Sequence, residues 1–187
     1  MGQTEIKQLD QILSNPDNAE FARAWQRWRG GRLVPHRSDV ELRDIARMLD
    51  RVALFEIRGP DEIIIRLAGT SLRDIVDFEL TGRNFRDFTA PADWPERRSR
   101  MQTMSSLPCG GRMTFRQIQP SGRTMEFEAI TLPLDPPEPG RPRLLCSCSS
   151  LIARTFQDPP QQPQQIVPVA HAFAYVDIGA GIPDLPG

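Results

Sequence analysis

The sequence RVALFEIRGPDEIIIRLAGTSLRDIVDFELTGR, residues 51–83, decides the fold, because a hairpin pattern is followed there by a short helical pattern. Apolar residues dominate Val52 to Ile57, and Gly59-Pro60-Asp61 has the composition of a turn. The next residues have the two-residue period of a half-buried strand, in which Ile63, Ile65 and Leu67 alternate with the charged Glu62 and Arg66. Two antiparallel strands joined by a turn are therefore predicted.

The strand period stops at Gly69-Thr70 and a short helical pattern begins. Leu72, Ile75 and Val76 recur at helical spacing, and Thr81-Gly82 ends the segment. The order of elements in this part of the chain is therefore strand, turn, strand, short helix and turn.

This order resembles PAS domains, and in particular a group of single-domain PAS-like proteins found mostly in alphaproteobacteria. The similarity lies in RLAGT at residues 66–70 and ELTGRNF at residues 79–85. Residues 33–40, LVPHRSDV, are similar to the Leu-Pro-x-Arg-x-Asp-Ile/Val segment of that group, and residues 127–134, FEAITLPL, are similar to its Tyr-Glu-x-x-x-Leu-Pro-Leu strand. The resemblance covers about Leu33 to Leu151.

The resemblance implies an α+β fold: a PAS-like five-stranded antiparallel sheet with a long helix across one face, preceded by N-terminal helices. The opening hairpin is expected beside the last strand. The helical and strand patterns agree, with a long helix in residues 91–107 and strands in residues 112–119, 123–134 and 143–152. The second of these strands changes phase near Ala129, which predicts either a bulge or cover on both faces.

The N-terminal residues carry an aromatic stripe on a predicted helix. Asn15-Pro16 is a typical helix start and Gly30-Gly31 a typical stop. Between them, Phe21, Trp25 and Trp28 fall on one helical face. The stripe either covers the sheet of its own chain or forms an interface with a second copy, so these three aromatics are candidate interface residues.

Composition limits the classes of partner. With 23 basic and 24 acidic residues the net charge is −1, which offers no field to attract nucleic acid or an anionic membrane. No apolar run reaches the roughly 20 residues that span a bilayer, and residues 1–8 lack the apolar core of a signal peptide. A cytoplasmic protein that acts as a homodimer or with a signalling partner is expected.

Three regions are predicted: a helical extension in residues 1–32, a PAS-like domain in residues 33–154, and a proline-rich linker with a docking tail in residues 155–187. Pro159, Pro160 and Pro163 stand among glutamines, which is typical of an extended linker. Ile166 to Ile178 is apolar enough to dock on the domain surface or on a partner.

No cofactor and no metal site are predicted. Phe85 stands where the resemblance places the reactive cysteine of flavin photosensors, and phenylalanine has no thiol to attack a flavin. The long helix has no histidine, whereas PAS domains that bind haem use one there. Cys109, Cys146 and Cys148 do not complete a zinc site, so they are expected to be buried in packing.

Two functions remain open, a sensory module and an enzyme. The first is a non-enzymatic PAS-like signalling module that acts through protein contacts, with an optional ligand between the long helix and the sheet. The second is a small cone-shaped isomerase or lyase, which would use Asp87 or Asp93 as its base, because the sheet carboxylates are expected to face outward. Those sheet carboxylates are Glu56, Glu62, Glu126 and Glu128. No catalytic residue is assigned, and the candidate cavity residues are Phe85, Trp94, Met101, Met104 and Phe115.

Overall fold

One antiparallel sheet organises the chain. The computed structural model describes Leu9 and residues 11–76, 78–118, 124–136, 138–155 and 170–184. The helices are α1 (Pro16–Arg29), α2 (Thr70–Val76) and α3 (Trp94–Ser106), with 3₁₀ segments at Arg37–Asp39, Leu42–Arg51 and Phe85–Phe88. The strands are β1 (Val52–Gly59), β2 (Glu62–Ala68), β3 (Gly110–Ile118), β4 (Thr124–Leu134), β5 (Arg143–Thr155) and β6 (Ala170–Val176).

The strand order is β2-β1-β5-β4-β3-β6, and every neighbouring pair is antiparallel. The first five strands have the predicted order, with the β1–β2 hairpin beside β5, and the prediction of an α+β PAS-like fold is confirmed. Helix α3 packs on one face of the sheet and α1 on the other, and we call these the cavity face and the α1 face. The sheet therefore has a hydrophobic core on each side.

Helix α1 begins and ends where its sequence predicts. The Asn15 side chain accepts a hydrogen bond from the backbone N–H of Asp17 at 2.8 Å, and Pro16 occupies the first turn. At the other end Gly30 has φ of 55°, in the left-handed region that favours glycine. The buried stripe of α1 is thus placed against the sheet over nearly four turns.

The three aromatics of the α1 stripe are buried within their own chain, so their assignment to a second-copy interface needs correction. Phe21 and Trp25 are fully buried and Trp28 is 7% exposed. The indole N–H of Trp25 donates to the Pro133 carbonyl at 2.8 Å, and that of Trp28 donates to Asp44 at 2.9 Å. The stripe covers the sheet of its own chain, and the homodimer or complex with a signalling partner stays a prediction.

Strand β4 is buried on both faces, which explains its change of phase. Ile130, Leu132 and Leu134 belong to the core on the α1 face, whereas Ala129 and Thr131 face α3. The pairing of β4 with β5 is irregular between Glu126 and Phe127, close to the predicted position.

The expectation that Glu128 faces outward is wrong. Its side chain is fully buried on the α1 face, where the backbone N–H groups of Ser14 and Asn15 each donate to it at 2.9 Å. Arg112 donates to the same carboxylate at 2.8 Å and Asn18 at 3.2 Å. The carboxylate therefore joins the start of α1 to the middle of the sheet.

Part of the predicted docking tail is the sixth strand. Strand β6 pairs with β3, Ile178 is fully buried beyond it, and Arg29 donates to the Ile178 carbonyl at 2.8 Å. The predicted linker prolines and residues 166–169 lie outside the described residues. The three-region division stays a prediction, although α1 and the end of the tail both contribute side chains to the core on the α1 face.

Candidate ligand cavity

A cavity of about 140 Å³ lies between α3 and the cavity face of the sheet. Its wall is mostly apolar and is formed by helices, loops and strands on the cavity face of the sheet. Helix α2 and the following loop contribute one side, α3 the roof, and β6 the far end. The apolar lining consists of Ala53, Phe55, Ile65, Ala68, Leu72, Val76, Leu80, Phe85, Met101, Met104, Met113, Phe115, Ala129, Ala170 and Phe173.

The floor of the cavity is made of small side chains. Strands β4 and β5 are neighbours and present Ala129 and Thr131, with Ser147 and Ser149 beside them. The Thr131 hydroxyl donates to the Ser147 hydroxyl at 3.1 Å, so these polar groups satisfy each other within the sheet. Because no large side chain rises from this part of the sheet, space remains under α3.

Strand β6 closes the far end of the cavity through Phe173. The phenyl ring packs above Gly111, where a Cβ atom would lie 3.0 Å from the Phe173 Cε2 atom and 2.6 Å from the Met104 sulfur. A side chain at this position would therefore displace the Met104 thioether and press on the Phe173 ring, so glycine leaves room for both side chains over the sheet. The tail strand is therefore part of the cavity wall.

Four charged residues of α3 and its approach stand at the rim of the cavity. They are Asp93, Glu96, Arg97 and Arg100. The Arg97 guanidinium lies over the Phe85 ring at 4.9 Å, and the Arg100 guanidinium lies over the Phe173 ring at 4.3 Å. Burial lowers the pKa of Arg97 to about 10, and the neighbouring Asp93 carboxylate opposes that effect.

Residues 13–148 match the family model described as PAS domain. The chain belongs to the PAS domain family. It is similar to a Rhodobacter sphaeroides LOV protein (13% identity, TM-score 0.41) over 56% of this chain and 60% of that one. It is also similar to the PAS domain of an HTR-like protein from Haloarcula marismortui (16% identity, TM-score 0.36) over 54% of this chain and 81% of that one. A comparison with curated proteins finds no match.

Four of the five candidate cavity residues line this PAS cavity, namely Phe85, Met101, Met104 and Phe115. Trp94 does not. It is 6% exposed, and its indole N–H donates to the Asp61 carboxylate at 2.8 Å, which fixes the start of α3 to the β1–β2 turn. The sequence interpretation missed the small residues of the floor, although their alternation on two neighbouring strands was a usable signal.

The two carboxylates considered for catalysis lie in different places. Asp87 is exposed at the surface, and Asp93 is half-buried at the cavity rim close to Arg97. Neither is enclosed in an apolar cavity. PAS domains are generally sensory modules rather than enzymes.

The cysteines have the surroundings of packing residues. Cys109 lies in the core on the cavity face, and Cys146 and Cys148 in the core on the α1 face. Burial raises the pKa of Cys109 to about 11 and that of Cys146 and Cys148 to about 12. Among the described residues, no group of three or more His, Cys, Asp or Glu could hold a metal ion.

No helix in the described parts of the chain is long and apolar enough to cross a membrane.

We expect the purified protein to show no visible absorbance band from flavin or haem. Phe85 has no thiol, α3 has no histidine, and about 140 Å³ is well below the roughly 300–1,000 Å³ of pockets for drug-sized ligands. The check is an absorbance spectrum before and after gel filtration, with the acid-released supernatant as a control. A stoichiometric band that survives filtration would contradict this expectation.

Proposed function

We propose that this PAS domain is a non-enzymatic sensory module that binds a small apolar ligand in the cavity and signals through contacts with another protein molecule. The cavity itself is the observation that carries the proposal. Its lining comes from α2, α3, the central strands and β6, so an occupant touches both the core and elements at the molecular surface.

The size of the cavity limits the ligand. An engineered apolar protein cavity of about 150 Å³ stays dry and binds benzene, and the cavity here is of similar volume. A ligand with a single ring or a short chain therefore fits. Met101, Met104 and Met113 line the wall, and their flexible thioethers can adjust to the shape of such a ligand.

We expect ligand binding to be transmitted to the molecular surface by the elements that contact the ligand. Phe173 and Met104 meet above Gly111, so a ligand that moves either side chain alters the packing between β6 and α3. The partner is either a second copy or a different signalling protein. Light scattering at high micromolar concentration separates these cases. A measured mass near 21.1 kDa, the mass of one chain, would exclude a homodimer, and the partner would then be a different protein.

Filling the cavity is expected to weaken ligand binding. Ala129→Leu adds three carbon atoms to the floor, and we expect the affinity for indole to fall at least about tenfold, or ~1.4 kcal/mol. The measurement is isothermal titration of indole into the unmodified protein and the variant, with circular dichroism to show that both are folded.

Ala172→Leu is the matched control, because Ala172 is an exposed strand residue that does not line the cavity. This variant should bind indole as the unmodified protein does. If the unmodified protein binds no indole, and native mass spectrometry shows no small molecule that purifies with it, the cavity is a packing gap and the ligand part of the proposal fails.

A further inference from the structure

The floor of the cavity carries a buried hydroxyl proton for which the described part of the chain offers no acceptor. Thr131 of β4 and Ser147 of β5 lie directly opposite each other, line the cavity, and are only 2% and 7% exposed. Two hydroxyl groups have two protons, and the 3.1 Å hydrogen bond between them uses one. Among the described residues, neither hydroxyl has a second partner. One O–H group is therefore left to donate into the cavity.

The side chains beside this hydroxyl pair cannot accept the proton. On β1, Ala53 lies opposite Ser147, and on β4 Ala129 lies two residues before Thr131 and also lines the cavity. The methyl groups of these alanines neither accept nor donate hydrogen bonds. Because a buried donor without an acceptor is costly, an occupant that brings an acceptor to this point is favoured over one that does not.

The charges at the rim do not select an ionic ligand. The charged lining residues are two carboxylates and two guanidinium groups, which together carry no net charge, namely Asp93, Glu96, Arg97 and Arg100. An ionised head group at the floor would lose its water and would gain a single neutral donor there. The acceptor is therefore expected to be uncharged. A carbonyl oxygen fits, because it accepts hydrogen bonds and, unlike an alcohol, brings no further proton that needs an acceptor.

We propose that the ligand of the cavity is an uncharged carbonyl compound of about six to eight carbon atoms. Its oxygen accepts a hydrogen bond from the hydroxyl pair of Thr131 and Ser147, and its apolar body contacts the wall that includes Phe85, Met101 and Met104. This inference rests on the proposed ligand-binding function and names the chemical class of the ligand.

The test compares acetophenone with α-methylstyrene, which has a CH₂ group in place of the carbonyl oxygen and nearly the same shape. The double variant Thr131→Val/Ser147→Ala removes both hydroxyl groups. In isothermal titrations with the full chain, we expect it to bind acetophenone at least about fivefold more weakly, the size of one neutral hydrogen bond, and α-methylstyrene no more weakly than the unmodified protein does. Each single variant keeps one hydroxyl that can donate, so its loss for acetophenone should be smaller.

Thr114→Val/Ser106→Ala is the matched control, because it makes the same two chemical changes at residues that do not line the cavity. Thr114 is half-buried on β3, and Ser106 is exposed at the end of α3. This variant should leave the affinities for both compounds unchanged. Circular dichroism shows whether each variant is folded.

The outcomes separate this inference from the proposed function. A loss for acetophenone that is less than about fivefold greater than the loss for α-methylstyrene overturns the carbonyl inference and leaves the proposed function standing. If neither compound nor indole binds and no small molecule purifies with the protein, the proposed function fails as well. If the double variant does not fold, the infrared carbonyl stretch of acetophenone bound to the unmodified protein decides. A shift below its frequency in hexane supports the hydrogen bond, and an unshifted band overturns it.

Discussion

Replacement of both Trp25 and Trp28 by alanine is expected to unfold the chain. Trp25 is fully buried and donates to the Pro133 carbonyl, and Trp28 is 7% exposed and donates to Asp44. Truncating a large buried aromatic to alanine costs roughly 3–5 kcal/mol, and domains of this size have total stabilities of roughly 5–15 kcal/mol. Urea denaturation followed by circular dichroism measures the loss, with Trp94 as the remaining fluorophore.

Leu42→Ala and Leu67→Ala provide controls for the loss of large apolar side chains. These leucines are 52% and 43% exposed, so each change should alter the free energy of unfolding by no more than about 0.5 kcal/mol. A double tryptophan variant that keeps nearly the full stability of the unmodified protein would mean that α1 does not cover the sheet.

The fold was predictable wherever the decisive information is local. The hairpin of β1 and β2 is encoded by the turn at residues 59–61 and by the alternation that follows it, and α1 by Asn15-Pro16 and Gly30. These signals act within a few residues, so they can be read from the chain without knowing its contacts. The order of the five PAS strands followed from the family resemblance.

The parts that were not predicted depend on residues far apart in sequence. Nothing near Glu128 shows that donors from Ser14 and Asn15 would satisfy it, because they lie more than 110 residues earlier. Similarly, the role of Phe173 depends on its contact with Gly111 in another strand. Alternation predicts which face a side chain takes, but it does not predict whether that face is covered.

In the candidate site, too, the local helical pattern was predictable and the contacts with distant residues were not. Helical spacing correctly grouped Met101 and Met104, since both project from one face of α3 into the cavity. It also placed Trp94 with them, although that residue is at the first turn of α3 and reaches the β1–β2 turn instead. The direction of a side chain at a helix end depends on its contacts with the neighbouring segment, and helical periodicity gives no information about those contacts.

Replacement of Glu128 by glutamine is expected to destabilise the protein by roughly 3 kcal/mol near neutral pH. Burial raises the pKa of this carboxyl, but hydrogen bonds from Ser14, Asn15, Arg112 and Asn18 outweigh burial and hold the pKa below its usual range. Glutamine removes the charge and turns one acceptor oxygen into a donor that faces these N–H groups. The free energy of unfolding from urea titrations measures the loss.

The pH dependence distinguishes the effect of the Glu128 charge from the effect of its second acceptor oxygen. Because its pKa is lower in the folded chain than the value of about 4.3 in unfolded chains, its contribution is fully present above that value and is lost as the pH falls through the folded pKa. The difference in stability between the unmodified protein and Glu128→Gln should therefore shrink below about pH 4.3. Glu138→Gln is the control, because Glu138 is 66% exposed in its pair with Arg141 and should alter stability little at any pH. A difference for Glu128→Gln that stays constant down to the acid transition would show that the loss of an acceptor oxygen, and not the loss of the charge, destabilises the variant.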